Sequence, residues 1–77
     1  MDIQQQIVNI LVEKIGVAPT AATPDANFIK DLGIDSLDYA ELIMEFEQTF
    51  DIRIADSDAE HLATVGQAVK FIEERLA

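Results

Sequence analysis

The sequence predicts an all-α domain, a four-helix bundle with a long first loop and a short third helix. Three observations predict it. Apolar residues recur at helical spacing in the stretches 3–15, 36–50 and 65–76. Two motifs of helix-start type, "SDAE" (Ser57 to Glu60) and "TVGQ" (Thr64 to Gln67), divide the last third of the chain. No stretch reads as a strand with a partner, since "DIRIAD" (Asp51 to Asp56) alternates for too few residues.

In the first helix Ile3, Ile7, Ile10, Leu11 and Ile15 form one stripe. Asp2 with Gln5 three residues on resembles a capping box, and Gly16 is a stop. Residues 17–35 form the long connection, where Pro19 and Pro24 break helix. That connection is not simply solvated, because Phe28, Ile29, Leu32 and Ile34 need cover. The second helix is expected over 36–50. At about 100° per residue, Tyr39, Leu42, Ile43, Phe46 and Phe50 share the core face. Asp38, Glu41, Glu45 and Gln48 fall opposite, and so do Leu37 and Met44. An apolar pair framed by acids is suited to a basic surface with an apolar floor. "SDAE" opens a short helix expected to end near Ala63. "TVGQ" opens the last helix, with Val65, Ala68, Val69, Ile72 and Leu76 on its inner face.

The chain of 77 residues reads as one domain, 1–77, too small for a deep catalytic cleft. It has no cysteine, which excludes disulfides and thiolate metal sites. Fifteen acidic residues against 5 basic ones give a net charge of −10. Such a charge disfavours nucleic acid and anionic membranes and favours basic partner surfaces or cations. The opening "MDIQQQ" lacks the basic start of a secretory signal, and no apolar run approaches a membrane span. A cytoplasmic monomer is expected. An acidic, divalent-cation-binding domain is one competing reading. "DSDAEHLATVGQ" (Asp56 to Gln67) starts like a calcium loop but has His61 where glycine is needed and Gln67 where a bidentate glutamate is needed. A plain interaction domain is another. No metal site is assigned.

Ser36 is the residue most in need of explanation. Local sequence favours a capping role for Asp35 or Ser36 at the start of the second helix. A nucleophilic serine is disfavoured, because the single histidine is His61 and position 38 is Asp, not the glycine of a nucleophile elbow. Covalent modification is the third reading, since a phosphate ester is electrostatically welcome at a helix N-terminus. Gly33 would let the loop turn sharply and keep the approach slim.

The stretch "DLGIDSLDYAELIMEFEQTFDIRI" resembles the second-helix region of acyl carrier proteins. Their signature Leu-Gly-x-Asp-Ser-Leu is here Leu32, Gly33, Ile34, Asp35, Ser36 and Leu37. The likeness continues through Glu41 to Met44, Glu47, Phe50, Ile54, Asp56 and "TVGQAV". "LGIDSLD" is most similar to the stand-alone carriers of bacterial type II fatty acid synthesis. The resemblance implies a carrier and not an enzyme, with no catalytic residues. It implies that Ser36 holds 4′-phosphopantetheine, derived from coenzyme A, whose thiol bears acyl thioesters. It implies two kinds of partner, a phosphopantetheinyl transferase (holo-carrier synthase) and acyl-processing enzymes with basic docking surfaces. On this reading Asp35, Leu37, Asp38, Glu41, Met44, Glu45 and Glu47 are the docking residues. Phe46, Ile54, Ala59 and Leu62 are expected to line an acyl pocket, which Phe46 and Phe50 would narrow. Tyr39, Glu45, Phe46, Arg53, Ala55 and Leu62 depart from the commonest pattern. Those departures leave open a dedicated carrier for polyketide, aminoacyl or specialised lipid synthesis.

Overall fold

Helical propensity and apolar spacing produce the expected bundle in the computed structural model, which describes residues 2–77. Met1, counted in the expected 1–77 domain, lies outside them. Helix α1 spans Ile3–Ile10 and continues as a wider π turn over Leu11–Ile15. A 3₁₀ turn, Pro19–Ala21, follows. Helix α2 spans Ser36–Phe50, α3 Asp56–Ala59 and α4 Val65–Leu76. Among the described residues the only β feature is an isolated bridge between Asn27 and Thr64. None of the described helices is long and apolar enough to cross a membrane.

The core collects the predicted stripes. Ile7, Leu11, Phe28, Leu42, Phe46, Val65 and Ile72 are fully buried, and α1 packs mainly on α4 and α2. Gly16 ends the first helical stretch in the left-handed conformation, as expected. Asp2 accepts from the Gln5 N–H, but the reciprocal half of a capping box is not made. The Gln5 side chain donates to Asn9 Oδ1 instead. Two apolar residues expected inside are outside: Ile29 is 52% exposed and Leu76 is 42% exposed. Leu76 lies in the last turn of α4.

The "TVGQ" box forms in full. Thr64 Oγ1 accepts from Gln67 N–H, and Gln67 Oε1 accepts from Thr64 and Ala63 N–H. The "SDAE" box does not. Helix α3 starts at Asp56 rather than Ser57, its N-cap is Ala55 with no side-chain cap, and it ends at Ala59 rather than near Ala63. A helix of one turn has too few internal hydrogen bonds to hold itself.

The long connection is stitched to the start of α4. Phe28 N–H donates to Ala63 O at 2.9 Å, Val65 N–H to Ala26 O at 3.1 Å and Gly66 N–H to Pro24 O at 2.9 Å. The last contact explains Gly66, since a Cβ there would lie 3.1 Å from Pro24 O. Within the connection Asn27 Oδ1 accepts from Ile29 and Lys30 N–H, and Asp31 Oδ2 accepts from Asn27 N–H. This Asx network replaces regular structure.

Candidate functional site

The start of α2 resolves the choice between Asp35 and Ser36. Asp35 is the N-cap: its backbone is extended and its Oδ1 accepts from Asp38 N–H at 2.8 Å. Ser36 is the first helical residue and is exposed. Among the described residues nothing hydrogen-bonds to its hydroxyl, to its N–H or to Leu37 N–H. The site is thus an uncommitted hydroxyl at the positive end of a 15-residue helix, with two free N–H donors beside it. That arrangement fits a phosphate ester. Among the described residues no side-chain hydrogen bond joins His61 to Ser36. Gly33 has φ of +67°, and a Cβ there would meet nothing within 4 Å. The turn demands glycine there; crowding within the chain does not.

The outer face of α2 is as the helical wheel predicts. Leu37 is 70% exposed and Met44 56% exposed. Glu41 is exposed, and Asp38 and Glu45 are half-buried. Among the described residues the one ion pair is Arg75–Asp58, so Asp35, Asp38, Glu41 and Glu45 are unpaired and give this face a negative field. Met44 also overlooks a shallow hollow shared with Lys14, Ile15 and Gln48. Glu47, expected among the docking residues, also has a partner within the chain. Its carboxylate is half-buried and accepts from Ile54 N–H at 2.8 Å, bracing the chain that follows α2.

An open groove of about 530 Å³ runs along α2 from Ser36 to Glu47 and is covered on its far side by Ile54, Asp56 and Ala59. Of the residues expected to line an acyl pocket, Ile54 and Ala59 do so. Phe46 does not. It is fully buried, on the row with Leu42 and Phe50 that enters the bundle core. Residues 36, 40, 43 and 47 form the neighbouring row that faces α3. Leu62 lines a second groove of about 410 Å³ instead, with Ile29, Lys30 and Ala63.

Tyr39, expected on the core face of α2, does more than pack there. Its hydroxyl lies between two backbone carbonyls, Ala59 O and Leu62 O, the latter at 2.7 Å. Its ring stands against Phe28 with centroids 5.9 Å apart and planes at 51°. Burial pushes the phenol above its ordinary value. The signal was present: a tyrosine on a core-facing stripe must find a partner for its hydroxyl. Arg75 is a second tether, reaching Asp58 at 3.0 Å and Arg53 O at 3.1 Å while its guanidinium lies 4.6 Å from the centre of the Phe71 ring. That pair also occupies an acid of the calcium-loop-like stretch, which here is a helical turn and not a loop.

Comparison with known proteins places these residues in context. Residues 5–72 match the family described as "Phosphopantetheine attachment site". The acyl carrier protein of Amoebophilus asiaticus is 54% identical over 99% of this chain and 95% of its own length. That of Phenylobacterium zucineum is 52% identical over 97% and 95%. That of Caulobacter vibrioides (strain NA1000) is 51% identical over 99% and 97%.

Proposed function

The chain belongs to the phosphopantetheine-attachment family of acyl carrier proteins, and from that membership we propose that Ser36 is its attachment point. It is a carrier and not an enzyme. Its cofactor is covalently bound 4′-phosphopantetheine. The observation that carries the assignment of Ser36 is the division of labour at the helix start. Asp35 does the capping, which frees the Ser36 hydroxyl for esterification. When bound, the cofactor supplies a flexible arm ending in a thiol, which the cysteine-free chain itself lacks.

The chain's own residues do three things. The N-terminus of α2 stabilises the negative phosphodiester with its free N–H groups and positive end. The carboxylates of Asp35, Asp38, Glu41 and Glu45 steer basic partner surfaces toward Ser36, and Leu37 and Met44 add apolar contact. The groove beside Ser36, over Ile43, Ile54 and Ala59, shields part of an acyl chain from water. Each methylene withdrawn stabilises the loaded form by about 0.8 kcal/mol. The partners are the transferase that loads the carrier from coenzyme A and the acyl-processing enzymes. The pathway that fits is fatty acid biosynthesis, served by a cytoplasmic monomer.

The test is loading. With a phosphopantetheinyl transferase and coenzyme A, intact mass should rise by one phosphopantetheinyl group, mapped to the peptide containing Ser36. Ser36→Ala should stay folded, within about 0.5 kcal/mol of wild type because the cap is elsewhere, and should gain no mass. A mass gain in the variant, or none in the wild type, would overturn the assignment.

A further inference from the structure

The two grooves beside α3 share one wall. Tyr39, Ala59 and Glu60 line both the groove that starts at Ser36 and the groove that contains Ile29 and Leu62. Only Tyr39 comes from α2 and carries enough bulk to separate them. Its ring is held against Phe28 on one side, and its hydroxyl is held to the carbonyls of Ala59 and Leu62 on the other. Tyr39 follows Ser36 by three residues, so it stands about one helical turn from the attachment point. The second groove also offers apolar lining, from Ile29, Ala59, Leu62 and Ala63, beside the polar Asn27, Lys30 and Glu60.

We propose that Tyr39 is a specificity-determining residue that limits the size of the acyl cargo. Its ring closes the Ser36 groove against the Ile29–Leu62 groove, so a chain entering beside Ser36 fills the first space and is turned back from the second. This rests on Ser36 bearing the acyl arm. Phe46 and Phe50 lie in the bundle core and line neither groove. The two features of Tyr39 have separable roles: the ring is the wall, and the hydroxyl is the tether that holds α3 against it.

The experiment loads wild type, Tyr39→Phe, Tyr39→Leu and Tyr39→Ala from acyl-coenzyme A donors of increasing saturated chain length. Intact mass confirms each loading. The readout is the shift in melting temperature relative to the same variant carrying the unacylated arm, which removes any general destabilisation. In wild type the shift should rise with chain length and then level off. Tyr39→Phe keeps the ring and should level off at the same length. Tyr39→Ala should keep rising to longer chains, and Tyr39→Leu, which keeps a smaller apolar side chain, should level off between the two. If Tyr39→Ala does not fold, the wild type, Phe and Leu comparison decides. A common plateau for every folded variant would overturn the proposal, as would a Tyr39→Phe plateau displaced as far as that of the smaller side chains. Equal shifts at all chain lengths in loaded wild type would overturn it while leaving the carrier role intact. Failure of wild type to load at Ser36 would overturn the carrier reading and this inference together.

Discussion

The two connections between the long helices invert what their secondary structure suggests. Residues 16–35 contain a single 3₁₀ turn and no α-helix, yet they bury Ala22, Ala26, Phe28 and Ile34 and bond through the backbone to Ala63, Val65 and Gly66. Residues 51–64 contain α3, yet none of its four residues is buried and no side chain caps it. It hangs between two buried anchors, Ile54 and Leu62. Three side-chain tethers hold it: Tyr39 to Ala59 and Leu62, Glu47 to Ile54, and Arg75 to Asp58 and Arg53. Buried side chains and long-range hydrogen bonds, more than helix content, decide which segment is stiff. The more densely bonded segment leads directly into Ser36. The lightly tethered one covers the groove that the cargo would use.

Substitutions should separate the two regions by size of effect. Phe28→Ala empties the fully buried centre of the first connection and should cost about 3–5 kcal/mol, read by chemical denaturation. Against a total stability of about 5–15 kcal/mol, that is enough to unfold a marginal domain. A cost below about 1 kcal/mol would mean that the first connection is no stiffer than the second.

Tyr39→Phe removes one tether and should cost about 1 kcal/mol. It also has a pH signature. Burial raises the Tyr39 phenol in the folded chain above its ordinary 10.0. The unfolded chain therefore loses this proton first as pH climbs. The stabilisation from Tyr39 is complete below pH 10.0 and is lost as pH rises through the folded value. Melting curves of wild type and Tyr39→Phe should keep a constant separation below pH 10.0 and draw together above it. A separation that persists at high pH would remove the hydroxyl from the tether.

Arg75→Ala should cost roughly 0.5 kcal/mol, because the ion pair is partly exposed and screened. Its effect should be confined to faster amide exchange in 56–62, with the first connection unchanged. Met44→Ala should be smallest, under about 0.5 kcal/mol of stability, and should instead speed dissociation from the transferase. Loss of several kcal/mol on that substitution would mean that Met44 is buried and that the outer face of α2 has been misassigned.

Much of this was legible in the sequence because periodicity and caps are local. The stripes of α1, α2 and α4, the exposure of Leu37 and Met44, and the Thr64–Gln67 box depend on residues within a few positions of one another. Ser36 stood out by its motif and its helix position. The start and length of α3 were not legible, since a one-turn helix is fixed by distant tethers from Tyr39 and Arg75. The full burial of Phe46 and the Glu47–Ile54 hydrogen bond were not legible for a related reason. A helical wheel shows which half of α2 is inner, but not which row faces α3 and which faces α1 and α4. Phe46 therefore went to the core, and Glu47 turned to the Ile54 amide.

Amide hydrogen exchange on one sample, with and without an acyl group on Ser36, compares the two connections under identical conditions. In the unacylated protein the amides of Phe28, Ile34 and Val65 should exchange near the rate of global unfolding, and those of Ala59, Glu60 and Leu62 much faster, through local opening. Acylation should slow the second group and leave the first unchanged. Equal protection in both groups before acylation, or slowing confined to the first group after it, would contradict the division between a fixed platform for Ser36 and a movable cover for its cargo.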